Sequence, residues 1–276
     1  MYETIQIDRE DHLTWLTLNR PDSLNAMNRQ LIREVSDFFQ NLPEDRQTRV
    51  VVLRGAGRAF CAGLDLKETS LSAGGSGSEA GSSAAPSGSV VESLRGQREV
   101  SEIALRMRRA PQPIIAAVHG AAAGGGFAMA LASDVRLAAD SARMNAAFIR
   151  IGLSACDVGV SYFLPRMVGS SIASELLLTG DFIDAARAER LGLVSRVVPE
   201  ADLEAEARDL AGRMLRNSPA GLRLTKECLK YSLDAGSLDE VVAMEDRNQM
   251  LAFRSPDFRE GVAAFLQKRP AVFRDD

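Results

Sequence analysis

Two runs of apolar residues, each followed by a glycine-rich turn, constrain the fold of this chain more than any other sequence feature. The first run is VVVL at residues 50–53, before a turn at 55–65. The second is IIAAV at 114–118, before a turn at 120–126. Continuous runs of this length, rich in β-branched residues, are typical of strands buried on both faces. A helix is predicted directly after the second turn and a third strand at 134–137, so the order of elements favours an α/β core.

The segments on either side extend this pattern. Residues 3–8 and 13–18 alternate apolar and polar side chains and predict a hairpin, and a helix is predicted from Asn28 until Pro43 closes it. From about Val160 the chain is predicted to be mainly helical. We therefore predict a core at residues 1–200 and a C-terminal helical region at 201–276.

Residues 70–89 differ in composition from the rest of the chain, because they are almost entirely Ser, Gly and Ala. Such a segment cannot bury enough apolar surface to order itself. Strand and helix patterns continue on both sides of it. We therefore predict a mobile loop within the core, not a linker between domains.

Charge and composition exclude several classes of function. The formal net charge is −4, from 33 Lys and Arg against 37 Asp and Glu, so no basic surface for nucleic acid is expected. Only 2 His and 3 Cys are present, which argues against a zinc site, a disulfide framework or histidine-based chemistry. No stretch is apolar enough to span a bilayer and no signal peptide is visible, so we expect a cytoplasmic protein without membrane partners.

The two glycine turns are the first candidates for a functional site. Glycine lets the backbone approach a ligand closely, and two neighbouring turns can aim two N–H groups at one oxygen, as in an oxyanion hole. The alternative is that both turns are ordinary tight connections between elements. Spacing alone leaves both interpretations open.

Five segments of the chain, taken together, resemble the crotonase (enoyl-CoA hydratase/isomerase) superfamily. They occur in the family's order and cover nearly the whole chain: LTLNRP at 16–21 with LNAM at 24–27, AFCAGLDL at 59–66, GGG at 124–126, LGLV at 191–194 and FLQKR at 265–269. The resemblance implies a crotonase-like spiral core of ββα turns with a C-terminal α-helical subdomain. It also implies homotrimers or dimers of trimers.

The resemblance further implies binding of acyl-CoA thioesters, with coenzyme A entering as part of the substrate and no separate cofactor or metal. The two amides of the family's oxyanion hole fall on Leu64 and Gly125. Lys268 is expected near the nucleotide end of the substrate. The residues expected to line the substrate path are Ala26, Ala62, Gly63, Asp65, Leu66 and Gly124.

Two positions depart from the pattern of the family's hydratases, which carry two glutamates. The position two residues after the triple glycine is Ala128, and the position before Ile151-Gly152 that carries the second glutamate is Phe148. Neither side chain transfers a proton. Adding water to a C=C bond needs a group that activates the water and a proton donor, so efficient hydration is not expected.

One carboxylate remains near the expected site. Counted back from Leu164-Pro165, Asp157 matches the acid/base position of the Δ3,Δ2-enoyl-CoA isomerases, a carboxylate of the dienoyl-CoA isomerases and the nucleophile of the 4-chlorobenzoyl-CoA dehalogenases. One carboxylate is enough for isomerisation, because it can remove a proton from one carbon and return it to another. The alternative is that Asp157 caps the following helix or faces solvent.

The favoured interpretation is an isomerase that uses Asp157 as its proton carrier. The alternatives are a hydratase with a water-activating group from elsewhere, a non-catalytic acyl-CoA-binding protein and a dehalogenase. We expect His119 to be a satisfied residue at a strand end, and Cys61 and Cys156 to pack as small hydrophobic residues.

Overall fold

A computed structural model of the protein describes residues 2–68 and 89–274. The predicted hairpin is present as β1 (Ile5–Glu10) and β2 (Leu13–Leu18), which pair antiparallel, although β1 begins two residues later than predicted. Asp11 takes a left-handed conformation in the turn (φ 51°). Of the predicted mobile loop, residues 70–88 lie outside the described residues.

The main sheet has six strands in the order β1-β2-β3-β4-β6-β9, and all pairs from β2 onward are parallel. A second sheet of three strands has the order β5-β7-β8. The remaining strands are β3 (Val50–Gly55), β4 (Ile114–Val118), β5 (Ala121–Ala123), β6 (Val135–Ala139), β7 (Arg143–Asn145), β8 (Ile183–Asp184) and β9 (Arg196–Val198). The apolar runs predicted to be buried strands are therefore the centre of a parallel sheet.

Ten helices with described bounds surround the sheets. They are α1 (Arg29–Asn41), α2 (Val90–Arg109), α3 (Gly125–Ala132), α4 (Val160–Val168), α5 (Ser170–Thr179), α6 (Ala185–Arg190), α7 (Leu203–Leu215), α8 (Pro219–Ser232), α9 (Leu238–Phe253) and α10 (Pro256–Gln267). The predicted mixed α/β fold with helices at the C-terminus is confirmed. Among the described residues, no helix is long and apolar enough to cross a membrane.

Both faces of the main sheet are covered, which explains why its central strands β3 and β4 lack an alternating pattern. The larger core packs one face of the sheet against α1 to α6, and the second core packs the other face against α7. Asn28 begins α1 as predicted, since its side chain accepts the Leu31 N–H at 2.9 Å. Ser89 begins α2 with a reciprocal capping box to Glu92.

Candidate active site

The first glycine turn leaves the amide of Leu64 free of backbone partners. The Met27 N–H donates to the Gly63 carbonyl at 2.7 Å, and the Asp65 N–H donates to the Met27 carbonyl at 3.1 Å. Because backbone groups alternate in direction along an extended segment, the N–H of Leu64 points away from Met27. Within the described ranges, this N–H donates no backbone hydrogen bond.

The second glycine turn presents an amide at the start of a helix. Gly124 takes φ 52°, and α3 begins at Gly125. The first N–H groups of a helix have no partner within it and carry the positive end of its dipole. In the part of the chain that the structure describes, the Gly125 N–H has no backbone acceptor either.

Main-chain hydrogen bonds join the two turns. The Cys61 N–H donates to the Ala121 carbonyl at 3.0 Å, and the Ala123 N–H donates to the Cys61 carbonyl at 2.9 Å. The backbones approach closely enough to require glycine at two positions. A Cβ on Gly63 (φ 92°) would lie 2.9 Å from the Ala123 carbonyl oxygen, and one on Gly126 would lie 2.3 Å from that of Cys61. The two predicted oxyanion amides therefore lie on backbone segments that are in contact.

Asn25, which sequence reasoning did not single out as a functional residue, supports this contact from a third segment. Asn25 is fully buried, and its Nδ2 donates to the carbonyls of Ala56 and Ala59, both at 2.8 Å. Its Oδ1 accepts the Arg20 N–H at 2.8 Å. The motif at 24–27 contained Asn25, but only the structure reveals that its amide connects the N-terminal turn to the first glycine turn.

Asp65, predicted to line the substrate path, forms an ion pair. Its Oδ2 lies 3.0 Å from Arg20 Nη1, and the same guanidinium also donates to the Ala26 carbonyl. Burial alone would raise the pKa of Asp65, but hydrogen bonds from Arg20 and the Glu68 amide outweigh it and lower that pKa. Asp65 therefore holds the two segments of the predicted substrate path together.

A cavity of about 380 Å³ opens beside the first glycine turn. Met27 and Leu64 lie on one side of it, and Gln97 and Val100 of α2 lie on the other. Of the other predicted substrate-path residues, Ala62 donates its N–H at 3.0 Å to the carbonyl of Leu24, which lies two residues before Ala26. Lys268 is exposed at the C-terminal end of α10.

Asp157 is half-buried in the turn that precedes α4. Its Oδ1 accepts a hydrogen bond from Gln97 Nε2 at 2.5 Å and another from the Val158 N–H at 2.7 Å. The alternative that Asp157 caps the helix is wrong: α4 begins after Gly159, and Asp157 contributes only its backbone carbonyl, to the N–H of Val160. The structure therefore links Asp157, through Gln97, to the cavity that Leu64 lines.

The turn at Asp157 is conformationally strained. Val158 has φ 47°, a left-handed conformation that β-branched residues adopt only under constraint. Such strain costs about 1–3 kcal/mol, persists only where the surrounding structure enforces it, and is concentrated at functional sites.

Apolar side chains occupy both positions at which the hydratases carry glutamate. Ala128 is fully buried in the second turn of α3. Phe148 is also buried, and its Cε1 lies 3.4 Å from the place where a Cβ on Gly124 would be. A phenyl ring, not a carboxylate, therefore packs against the backbone next to Gly125.

A second cavity, of about 420 Å³, lies beside Val158, the residue that follows Asp157. Val158, Phe163 and Leu105 line it, together with Tyr231 of α8. Its lining is mostly apolar. Asp157 is therefore linked to both cavities through its neighbours: Gln97 lines the cavity beside the Leu64 turn, and Val158 lines the apolar one.

The surroundings of His119, Cys61 and Cys156 test the remaining predictions made for single residues. His119 is buried and its Nε2 lies 2.9 Å from the Gly57 carbonyl, as expected of a satisfied residue. Cys61 is buried as predicted, and its burial raises the pKa of the thiol to about 12. The expectation for Cys156 is wrong: it is exposed, as are residues 151–154 in the stretch before it.

Comparison with known proteins identifies the family of this chain. The family model for enoyl-CoA hydratase/isomerase matches residues 8–276. A protein of Mycobacterium leprae named "probable enoyl-CoA hydratase echA12" is 41% identical over 94% of this chain and 86% of its own length. A protein of Escherichia coli named "1,2-epoxyphenylacetyl-CoA isomerase" is 35% identical over 99% of both chains.

Comparison with solved structures leads to the same family. The crystal structure of a putative enoyl-CoA hydratase from Streptomyces coelicolor is 34% identical and superposes with a TM-score of 0.90, covering 100% of this chain and 96% of its own. The glycine turns, the parallel sheet and the C-terminal helices are therefore features of a known fold. The chain belongs to the enoyl-CoA hydratase/isomerase family, within the crotonase superfamily.

Proposed function

We propose that the protein is an isomerase of unsaturated acyl-CoA thioesters, in which Asp157 carries the proton and the amides of Leu64 and Gly125 form the oxyanion hole. The observation that supports this most is the position of Asp157. Its partner Gln97 lines the same cavity as Leu64, while Ala128 and Phe148 supply no carboxylate. One carboxylate and two amides without backbone partners are a sufficient set of groups for a proton shuttle.

The proposed reaction starts from a 3-enoyl-CoA. The Asp157 carboxylate takes a proton from C2, and the electron pair of that C–H bond forms a dienolate whose charge rests on the thioester oxygen. The Leu64 and Gly125 amides stabilise this charge; one such donor typically contributes about 2.7–4 kcal/mol. Protonated Asp157 then returns the proton to C4. The electrons of the dienolate restore the C=O bond and form the C2=C3 double bond.

The substrate path is assigned to the same region. We propose that Ala26, Ala62, Gly63 and Leu66 contact the coenzyme A portion together with Asp65 and Gly124, and that Lys268 approaches its nucleotide end. The apolar cavity beside Val158 would take the far end of the acyl chain. Its volume of about 420 Å³ suits a medium-length or aromatic acyl group.

We further propose that residues 201–276 mediate assembly into homotrimers or dimers of trimers in the cytoplasm. Helices α8 to α10 expose large apolar side chains, which are typical of buried subunit interfaces: Leu229, Tyr231, Leu238, Met250, Leu251, Phe253, Phe265 and Leu266. Light scattering coupled to gel filtration tests this, and a monomer at micromolar concentration would contradict it.

Hydration is the second candidate, because several relatives, including that of M. leprae, bear the name of hydratase. The absence of glutamate at 128 and 148 argues against it. Hydration of crotonyl-CoA is therefore expected at near-background rates. Rates close to those of isomerisation would favour the hydratase.

The decisive experiment is D157N, assayed with 3-hexenoyl-CoA through the absorbance of the conjugated product. Loss of the acid/base group is expected to lower kcat by roughly 10²–10⁴-fold and to leave binding of acyl-CoA intact. D202N, an exposed position at the start of α7, is the matched control.

Other outcomes favour the alternatives. Unchanged turnover by D157N would disprove the proposal. Tight binding of acyl-CoA without turnover of any enoyl substrate would indicate a non-catalytic binding protein, and a covalent adduct on Asp157 seen by mass spectrometry with 4-chlorobenzoyl-CoA would indicate a dehalogenase.

A further inference from the structure

The two oxygens of the Asp157 carboxylate have different surroundings. Oδ1 accepts both hydrogen bonds, from Gln97 Nε2 at 2.5 Å and from the Val158 N–H at 2.7 Å. Within residues 2–68 and 89–274, no protein group donates to Oδ2. One oxygen is therefore anchored and the other is left available.

The two donors come from different parts of the molecule. Gln97 lies on α2, which is fixed to α1 by hydrogen bonds from Arg106 to the carbonyl and hydroxyl of Ser36, both at 2.9 Å. Met107 of the same helix is fully buried. Val158 belongs to the strained turn. The Val158 N–H is a contact within the turn, whereas Gln97 connects the carboxylate to a helix that is packed in the core.

We infer that Gln97 is a positioning residue for the proposed isomerisation: it holds Oδ1 of Asp157, so that Oδ2 is the atom that takes and returns the proton. The inference rests on the proposed function. When Oδ2 is protonated, Oδ1 becomes a carbonyl-type oxygen and still accepts from an amide N–H. The hydrogen bond from Gln97 therefore persists in both protonation states, and the carboxyl group need not rotate between its two proton transfers.

A purely structural role does not fit the position of Gln97. Its side chain is exposed and lies outside both hydrophobic cores. Replacing it by leucine retains a good helix former on α2. The fold is therefore expected to tolerate the Q97L substitution, which tests the inference.

The test compares Q97L with Q40L, the same substitution at an exposed position of α1. Loss of a hydrogen bond to a charged group typically changes an equilibrium or a rate by about ten- to hundredfold. The kcat of Q97L with 3-hexenoyl-CoA should therefore fall by about that factor. KM and the melting temperature should not change. The isotope effect with substrate deuterated at C2 should rise, because proton transfer becomes slower relative to the other steps.

A second variant separates hydrogen bonding from space filling. Q97E keeps the length of the side chain but replaces the N–H donor by a carboxylate that repels Asp157, so kcat should fall at least as far as in Q97L. Wild-type kcat in either variant would overturn the inference, and so would a rise in KM at constant kcat, which would make Gln97 a substrate-binding residue. If D157N keeps its activity, the proposed function itself fails; if D157N is inactive while Q97L is unaffected, only the role of Gln97 fails.

Discussion

The two halves of the candidate site differ in the groups that form them: one consists of backbone groups and the other of a side chain. The half around Leu64 and Gly125 is backbone, tied together by main-chain hydrogen bonds of 2.7–3.1 Å and by glycines that no larger residue can replace. The half around Asp157 is a side chain on a partly exposed turn, held through one oxygen. Side chains can be exchanged without moving the sheet, whereas the backbone half cannot change without disturbing the fold. Under the proposed function, the Asp157 half sets the reaction, and the backbone half sets the class of substrate.

Apart from D157N, the largest effect is expected from G63A. The new Cβ would meet the Ala123 carbonyl at 2.9 Å in a backbone conformation that alanine disfavours, so the Leu64 amide must move. We expect kcat to fall by roughly 10²–10³-fold and the protein to lose about 1–3 kcal/mol of stability. Unlike in D157N, activity and melting temperature should fall together.

A glycine that meets no neighbour provides the control. Gly212 lies within α7, and a Cβ there would have no atom within 4 Å. G212A should retain full activity and gain up to about 1 kcal/mol in stability. If G63A behaved like G212A, the two halves would not differ in the way described.

N25A tests the support beneath the backbone half. Removing the amide leaves the carbonyls of Ala56 and Ala59 without their donor in a buried place, which costs about 1–3 kcal/mol. Chemical denaturation measures this loss. N41A, at an exposed helix end, is the control and should be nearly neutral; equal losses in both variants would contradict the assignment.

L105W tests the side-chain half from the apolar cavity. The indole would fill part of the cavity beside Val158 and leave space only for a shorter acyl chain. The ratio of kcat/KM for long over short 3-enoyl-CoA substrates should fall about tenfold, with the activity toward the shortest substrate retained. An unchanged ratio would place the acyl chain elsewhere.

The smallest effect is expected from D65N, and it depends on pH. The pKa of Asp65 is lowered in the folded protein, so the ionised form stabilises the fold above its unfolded-state value of about 3.9, and this contribution is lost as the pH falls through the folded-state pKa. At neutral pH D65N should be less stable by about 1 kcal/mol, since its pair with Arg20 is partly accessible to solvent. Denaturation measured at decreasing pH should show that the free energies of unfolding of D65N and the wild-type protein converge.

The sequence was most informative where periodicity is strong. The central strands, the start of α1 at Asn28 and the helical C-terminus were predicted correctly. The strands β5, β7, β8 and β9 were missed, because segments of two or three residues are too short to show an alternating pattern.

Within the site, the glycine turns were predicted, but the contacts of side chains distant in sequence were not. Gln97 and Asp157 are separated by 60 positions, and nothing in the composition around either residue indicates the other. Cys156 was expected to be buried from its residue type alone, whereas it lies in a surface stretch whose residues 151–154 are also exposed.

The main-chain hydrogen bonds that connect Cys61 with Ala121 and Ala123 have a consequence for folding kinetics. They join the Leu64 turn to the segment 121–123, far along the chain, and they can form only after β3 and β4 lie side by side. Contacts between distant parts of a chain are the slowest to close. Refolding should therefore restore secondary structure first and turnover last, so that the recovery of enzymatic rate marks the final step of folding.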